Sequence, residues 1–157
     1  MNEFFISVLL IFIGLLIVIF LIAAWNSIKL KNSEKRLRTR LQQIADRNGI
    51  KLSETDYFQY KIIGLDENSN KVVFVDDRAA EEVVINLDNI SECNLIQKQL
   101  SYQLELILKE GYQESICIPF YRRYHDGKGL RKKLSAKADY WKEQISGILN
   151  KYAASAF

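Results

Sequence analysis

The stretch Phe4–Ala24, FFISVLLIFIGLLIVIFLIAA, carries no charged residue over 21 positions. As an α-helix it would be about 31 Å long, which matches the hydrocarbon core of a bilayer. Lipid offers no partner to a bare backbone N–H or C=O, so such a segment is helical in a membrane. Because the start, Met1-Asn2-Glu3, is acidic and the apolar run is longer than that of a cleavable signal peptide, we expect residues 1–25 to be a retained single-pass anchor.

The charges that follow the apolar stretch predict its orientation. Lys29–Arg47 holds seven basic and two acidic residues, whereas the formal net charge of the whole chain is only +3. By the positive-inside rule, the N-terminus lies outside the cell membrane (the inner membrane) and the C-terminal bulk lies in the cytoplasm. Each basic residue near an anionic leaflet contributes about 1 kcal/mol to membrane binding. The candidate contacts for anionic lipid headgroups in this segment are Lys29, Lys31, Lys35, Arg36, Arg38 and Arg40.

Residues 26–49 are predicted to form a basic juxtamembrane helix. Leu30, Leu37, Leu41 and Ile44 recur at helical spacing on one stripe, and Asn48-Gly49 is typical of a helix end. Three uses of this helix stay open: a solvated stalk, a segment lying on the lipid headgroups, or a helix that pairs with a second copy of itself.

From residue 50 onward the pattern changes to short apolar or alternating runs divided by turn residues, which predicts strands. The expected strands are Tyr57–Leu65, Lys71–Val75, Glu82–Leu87, Ile90–Ile96, Tyr102–Leu108 and Ser115–Phe120. The polar cluster Asp66–Asn70 predicts a hairpin between the first two. Short strands at this close spacing predict an antiparallel meander that curls into a barrel or sandwich, in one domain over residues 50–157.

A long amphipathic helix is predicted at the C-terminal end, over Asp126–Tyr152, with Asp126 as a candidate cap. One continuous apolar face carries Leu130, Leu134, Ala138, Trp141, Ile145, Ile148 and Tyr152. A helix with such a face must bury it, and the preceding sheet is the natural partner. Trp141 would contribute the largest buried side chain, whereas self-association along the stripe is the alternative.

This order of strands followed by one helix with a central tryptophan resembles the PH-like barrel, including its bacterial and small membrane-anchored members. The resemblance implies an α+β fold: an antiparallel β-barrel or sandwich closed by the C-terminal amphipathic helix. The family pattern has seven strands, so the seventh is expected in Lys51–Thr55 or inside one of the longer runs. Lipid-binding members carry basic residues on the first hairpin loop, but the loop predicted here begins Asp66-Glu67. The resemblance therefore implies no inositol phosphate site at that loop.

Little in the chain predicts catalysis or a cofactor. His125 is the only histidine, and it stands beside Asp126, but no G-x-S-x-G or other nucleophile motif accompanies it. Cys93 and Cys117 are far apart, are expected to stay reduced, and together with one histidine do not make a metal site at any usual spacing. We expect no cofactor and no metal, and an unrecognised enzyme that uses His125 is the alternative.

The charges of the strand-and-helix part are polarised. Residues 54–92 hold ten acidic and three basic residues, whereas a basic cluster surrounds the start of the C-terminal helix. Its candidate contacts for anionic lipid or an acidic partner are Arg122, Arg123, Lys128, Arg131, Lys132 and Lys133. Alternatively, the two halves face each other or water. Nucleic acid is not expected, because the domain is almost neutral and no aromatic residues interleave the cluster.

Together these observations predict a membrane-tethered, non-catalytic interaction or scaffolding module at the cytoplasmic face of the membrane. A protein partner or a second copy of the chain is a further expected contact. The remaining alternative is an accessory subunit of a larger membrane complex.

Overall fold

The computed structural model describes the backbone of residues 2–109 and 115–155. Two compact units divide between Arg36 and Leu37. The helices are α1 (Asn2–Arg47) and α2 (Arg131–Ser155), with short 3₁₀ turns at Leu87–Asn89 and Lys128–Leu130. The strands are β1 (Glu54–Phe58), β2 (Lys61–Asp66), β3 (Lys71–Asp76), β4 (Glu81–Asn86), β5 (Ile90–Lys98), β6 (Ser101–Leu108) and β7 (Ile116–Arg122).

In the first unit, the predicted apolar segment is helical. Its described apolar side chains, such as Leu10, Phe12 and Phe20, are exposed. By length and composition it is the one described helix that qualifies to cross a membrane, and a signal sequence would meet the same criteria. An exposed helix of this composition is consistent with membrane insertion.

Helix α1 ends where the sequence predicts. Gly49 adopts a left-handed conformation with φ of +64°, and its N–H donates to Asp46 O at 3.2 Å. The Ile50 N–H donates to Ala45 O at 2.8 Å. These two bonds form a Schellman motif, which satisfies carbonyls that the helix end leaves open.

The strands form two antiparallel sheets in which each strand pairs with its neighbours in sequence. Sheet A has the order β1-β2-β3-β4 and sheet B the order β5-β6-β7. The α+β class is confirmed. Of the predicted barrel or sandwich, the closed barrel is wrong, because the described sheets do not close on each other. Between β4 and β5 the chain forms the 3₁₀ turn, in which the Asn86 side chain accepts a hydrogen bond from Asp88 N. This turn separates the two strands instead of pairing them.

The seventh strand arises because the predicted strand Tyr57–Leu65 is two strands. The chain reverses between β1 and β2, and Gln59 adopts a φ of +63° at the reversal. No glycine or proline marks this turn. The sequence therefore gave no ordinary turn signal to divide the run.

One hydrophobic core fills the space between the two sheets and α2. Trp141, Phe74 and Phe120 are its largest fully buried side chains. The predicted helical stripe is buried at Leu134, Ala138, Trp141, Ile145 and Ile148, while Leu130 packs against the core from the 3₁₀ turn. Helix α2 contacts all three strands of sheet B, so the predicted packing of this helix on a sheet is confirmed. The predicted Tyr152 side chain lies outside the described residues.

A second core lies on the outer face of sheet A, in the second unit. The end of α1 places Leu37, Leu41, Ile44 and Ala45 against side chains of β2 and β3. Every residue of β2 is buried as a result. The sequence left three uses open for the helical stripe that begins at Leu30: a stalk, lipid contact or self-pairing. The last three residues of this stripe, Leu37, Leu41 and Ile44, pack on sheet A.

Candidate functional site

A basic face surrounds the end of β7 and the first turn of α2. The structure brings together six of the predicted contacts there, and all except the half-buried Arg122 are exposed. They are Arg122, Arg123, Lys128, Arg131, Lys132 and Lys133. Within the described part of the chain none of the six forms an ion pair with a carboxylate. Only Arg131 has a notable neighbour, the Tyr102 ring at 5.5 Å.

The acidic half of the domain behaves differently, because most of its carboxylates are used inside the fold. Asp56 pairs with Lys137 and also accepts a hydrogen bond from Trp141 Nε1 at 3.4 Å. Asp77 and Glu82 both pair with Arg40. In the described residues, Lys137 is the one member of the basic helix start that pairs with the acidic half, so the two halves do not neutralise each other.

Asp66 shows how completely a carboxylate is used. It closes the hairpin between β2 and β3 and accepts hydrogen bonds from Asn68 N, Ser69 N, Ser69 Oγ and Lys51 N, at 2.7 to 3.2 Å. Burial alone would raise the pKa of Asp66, but the four hydrogen bonds together outweigh it and leave the pKa lowered. This loop is acidic and internally bonded, and it offers no cation to a phosphate.

Beside the basic face lies a polar pocket built around a buried ion pair. Lys61, the first residue of β2, places its Nζ 3.1 Å from Asp126 Oδ2 and 3.4 Å from Phe120 O. Both side chains are at least 96% buried. Asp126 Oδ2 also accepts from Arg122 N at 2.8 Å. Asp126 is therefore not the helix cap that the sequence suggested; Gly127 occupies the N-cap position of the 3₁₀ turn.

The turn between β3 and β4 forms the opposite wall of this pocket. Arg78 lies over the Tyr60 ring at 3.9 Å and donates from its guanidinium to His125 O. Buried Asp76 holds the turn by accepting from Arg78 N at 3.0 Å and Ala79 N at 3.3 Å. The cavity between these walls has a volume of about 50 Å³.

Sequence reasoning missed Lys61, Asp76 and Arg78 as site residues. Lys61 pairs in register with Asp76 at the end of two apolar strands, so both face the core side occupied by Ile63 and Phe74. A charged residue at an inward-facing position of an apolar strand is a sequence signal from which this pocket could have been predicted. The partner Asp126 lies 65 residues away, and nothing local identifies it.

Among the described residues, the His125 side chain forms no hydrogen bond to a carboxylate or a thiol. This side chain is exposed, and the adjacent Asp126 carboxylate is committed to Lys61. Cys93 lies in the core, where burial raises the pKa of its thiol to about 11 despite the opposing effects of Lys142 and Ser146. Cys117 lies exposed in β7, outside the pocket. Within the described residues, no group of three potential metal ligands occurs.

The juxtamembrane candidates fall into both units. Lys29, Lys31, Lys35 and Arg36 are exposed residues of the first unit. Arg38 and Arg40 belong to the second unit, where Arg40 pairs with Glu82 and, at 3.7 Å, with Asp77. Arg40 is thus engaged by sheet A.

Comparison of the chain with family models, curated proteins and solved structures finds no match.

Proposed function

We propose that this protein is a non-catalytic interaction module, held at the cytoplasmic face of the membrane by a single N-terminal anchor, whose basic face contacts anionic lipid headgroups. The observation that carries the proposal is that the acidic and the basic residues of the domain differ in whether they have partners within the fold. Most acidic residues of sheet A, such as Asp56, Asp66 and Glu82, bind other groups of the fold, whereas the basic face has no carboxylate partner among the described residues. Unpaired cations clustered on one surface attract an external anionic surface.

The anchor and its orientation are supported by the exposed apolar helix and by the charges around it. No basic residue precedes Phe4, and Lys29, Lys31 and Lys35 follow the apolar stretch closely. This bias favours a cytoplasmic location for the domain. A protease added to inverted membrane vesicles should digest the domain, whereas protease added to right-side-out cells should leave it intact. The reverse pattern would contradict the orientation.

A PH-like relationship is part of the proposal. It is supported by seven strands in a four-plus-three arrangement and by a C-terminal helix that packs on the three-stranded sheet. The open sheets depart from the barrel of that family. The acidic hairpin at Asp66 argues against carrying over the inositol phosphate contacts of its lipid-binding members.

The strength of the contact follows from the number of cations. At about 1 kcal/mol for each Lys or Arg near an anionic surface, six side chains contribute at most about 6 kcal/mol. Screening limits this attraction to about 8 Å at physiological salt. We therefore expect binding that rises with the anionic lipid fraction and weakens as salt is added.

Residue-level amine labelling of the full chain in nanodiscs tests the proposal. Lys128, Lys132 and Lys133 should react more slowly in discs that contain phosphatidylglycerol than in discs of phosphatidylcholine alone, and added salt should restore the rate. Lys51 and Lys109 are also exposed and lie at the opposite ends of the strands, beside Asp66 and Asn89. They are internal controls whose rates should not depend on the lipid. Equal rates for the three test lysines in both discs would refute the lipid contact.

A matched variant sharpens this experiment. Replacing Lys132 and Lys133 by Gln removes two charges from exposed positions outside the core, so the fold should persist. The protection of Lys128 should then fall, because the attraction of the face depends on its summed charge. A variant with Lys51 and Lys109 replaced by Gln loses the same net charge away from the face and should leave that protection unchanged.

A further inference from the structure

The polar pocket beside the basic face has the construction of a binding site. Its floor is the ion pair of Lys61 and Asp126, whose side chains are 4% and 2% exposed. Burying two charges in this way is costly, and replacing such a pair by apolar residues is often neutral or stabilising. Lys61 Nζ bonds two described acceptors, Asp126 and Phe120 O, and an ammonium has a third N–H to donate. The same Lys61 lines the pocket.

The rim is held in position before any ligand arrives. The Arg78 guanidinium stacks on Tyr60 and donates to His125 O, and Asp76 fixes the backbone of its turn. Only that one donor of the Arg78 side chain is used within the described residues, out of five on a guanidinium. Arg122, whose side chain forms no hydrogen bond there, lines the same pocket. A guanidinium fixed by stacking loses little entropy when it binds a ligand.

From this construction we infer that the pocket binds a single carboxylate group, clamped by Arg78 and Arg122 above Lys61. The charged side chains that line the pocket are three cations, Lys61, Arg78 and Arg122, and two carboxylates, Asp76 and Asp126. Their formal sum is +1, which matches a monoanion. The carboxylates of Asp76 and Asp126 would repel the second charge of a phosphate monoester. The planar fork of an arginine fits the two oxygens of a carboxylate.

The remaining walls indicate what the carboxylate is attached to. Tyr60 and Ala79 line the pocket beside the charged groups, so a short hydrocarbon stem next to the carboxylate would meet an aromatic ring and a methyl group. The cavity has a volume of only about 50 Å³, far below the roughly 300 Å³ at which small-molecule sites begin. It suits the tip of a larger molecule or a small acid. The two sources of this chemistry are the terminal or side-chain carboxylate of a protein segment and a free short-chain acid.

The test uses the full ¹⁵N-labelled chain in phosphatidylcholine nanodiscs, in which no anionic lipid competes, so the result is separate from that of the lipid proposal. The probes are propionate, a five-residue peptide with a free C-terminus, the same peptide amidated, and inorganic phosphate, all at equal ionic strength. The Nε–H signals of Arg78 and Arg122, assigned from the R78Q and R122Q variants, should shift saturably with propionate, with the free peptide or with both. Propionate alone would identify a small acid as the source, and the free peptide alone would identify a protein terminus.

Matched variants separate the pocket from diffuse surface charge. R78Q and R122Q should each weaken carboxylate binding about tenfold or more, because each removes a charge-assisted fork. R78K keeps the charge but loses the fork and the stack, so it should also bind clearly more weakly than the wild type. R123Q removes the same charge from the neighbouring exposed position, which does not line the pocket, and should change binding less than about twofold.

Four outcomes would overturn the inference. The first two are the absence of a saturable shift with either carboxylate probe and binding of the amidated peptide that is as tight as that of the free peptide. The other two are tighter binding of phosphate than of either carboxylate and an equal loss of carboxylate binding in R123Q and R78Q. Lys61 and Asp126 are left unchanged, because breaking a buried pair destabilises the fold itself. Near-UV circular dichroism of each variant verifies that the fold is retained.

Discussion

Sheet A and sheet B are built from similar strands but lie in different surroundings. At its central strands β2 and β3, sheet A is covered on both faces, by the shared core on the inside and by the end of α1 on the outside. Sheet B has α2 and the shared core on its inner face, while outer-face residues such as Glu92, Asn94 and Cys117 are exposed. One sheet is an internal layer of the domain, and the other is part of its surface.

The difference is visible in the strands themselves. β2 and β3 are buried almost throughout, so KIIGLD and KVVFVD are runs of apolar residues with charges only at their ends. β6 alternates between more and less buried positions, as expected for a sheet with one covered face. A continuous apolar run in an antiparallel sheet therefore indicates a covering layer on each side. On the outer side of sheet A, the covering layer is the end of α1, which precedes the sheet in sequence.

The largest expected loss comes from the core that both sheets share. Trp141→Ala should lower the free energy of unfolding by about 3–5 kcal/mol, because the ring is fully buried between the sheets. Pulse proteolysis of the full chain in nanodiscs over a urea series measures this loss. The neighbouring Tyr140→Ala, at a position 41% exposed, should cost much less. Similar losses in the two variants would mean that Trp141 does not hold this core.

The outer faces of the two sheets provide the next comparison. Leu41→Ala removes a buried contact on sheet A and should cost about 2–5 kcal/mol. Ile107→Ala changes the uncovered face of sheet B, where the side chain is half-buried, and should cost less than half as much. The same urea series measures both. Equal costs would show that the end of α1 contributes no more to sheet A than solvent does to sheet B.

The close approach of α1 to sheet A makes Gly64 sensitive to added volume. A Cβ at this position would lie 2.8 Å from Leu52 Cδ2 and 3.2 Å from Leu41 Cδ2. Gly64→Ala should therefore destabilise by about 1–3 kcal/mol, and adding Leu52→Ala should recover part of this loss. Gly147→Ala is the control: nothing lies within 4 Å of its added Cβ in α2, and the change should stabilise by up to about 1 kcal/mol. Equal tolerance at the two glycines would contradict the close packing.

The smallest effect concerns pH and the hairpin of sheet A. Because the folded pKa of Asp66 is lowered, its carboxylate stabilises the fold fully above its unfolded pKa of about 3.9, and this contribution is lost as the pH falls through the folded pKa. Asp66→Asn should thus be less stable than the wild type at pH 6, with a difference that shrinks below about pH 4. The exposed neighbour Glu67 gives the matched control Glu67→Gln. A difference between Asp66→Asn and the wild type that stays constant down to pH 2 would rule out this role.

Periodicity was enough to predict most elements. The stripe through Leu134, Trp141 and Ile148 predicted the buried face of α2, and Asn48-Gly49 predicted the end of α1. The strand boundaries differ by about two residues where turn residues mark them. The reversal at Gln59 went unpredicted because a glutamine in a left-handed conformation has no distinctive sequence signal.

The site was less predictable because it depends on contacts distant in sequence. The basic residues near α2 are adjacent in the chain, so their clustering was visible. Lys61 at the start of β2, Arg78 in the β3–β4 turn and Asp126 before α2 are far apart in sequence. Only the folded sheets bring them together. Likewise, the apolar stripe alone could not show whether Leu37 and Leu41 pack on sheet A or contact lipid, because either arrangement buries the same helix face.

The pairing of every strand only with its neighbours in sequence has a consequence for synthesis. Contacts of this kind are local and form quickly, and a chain leaves the ribosome N-terminal part first. The segment Leu37–Arg47 and all four strands of sheet A precede residue 87, so this layer can assemble while sheet B is still being translated. The inner face of sheet A then stays uncovered until β5, β6, β7 and α2 have been synthesised. We expect ribosome-bound chains halted between β4 and β5 to resist proteolysis over sheet A yet expose an apolar surface for chaperones to bind.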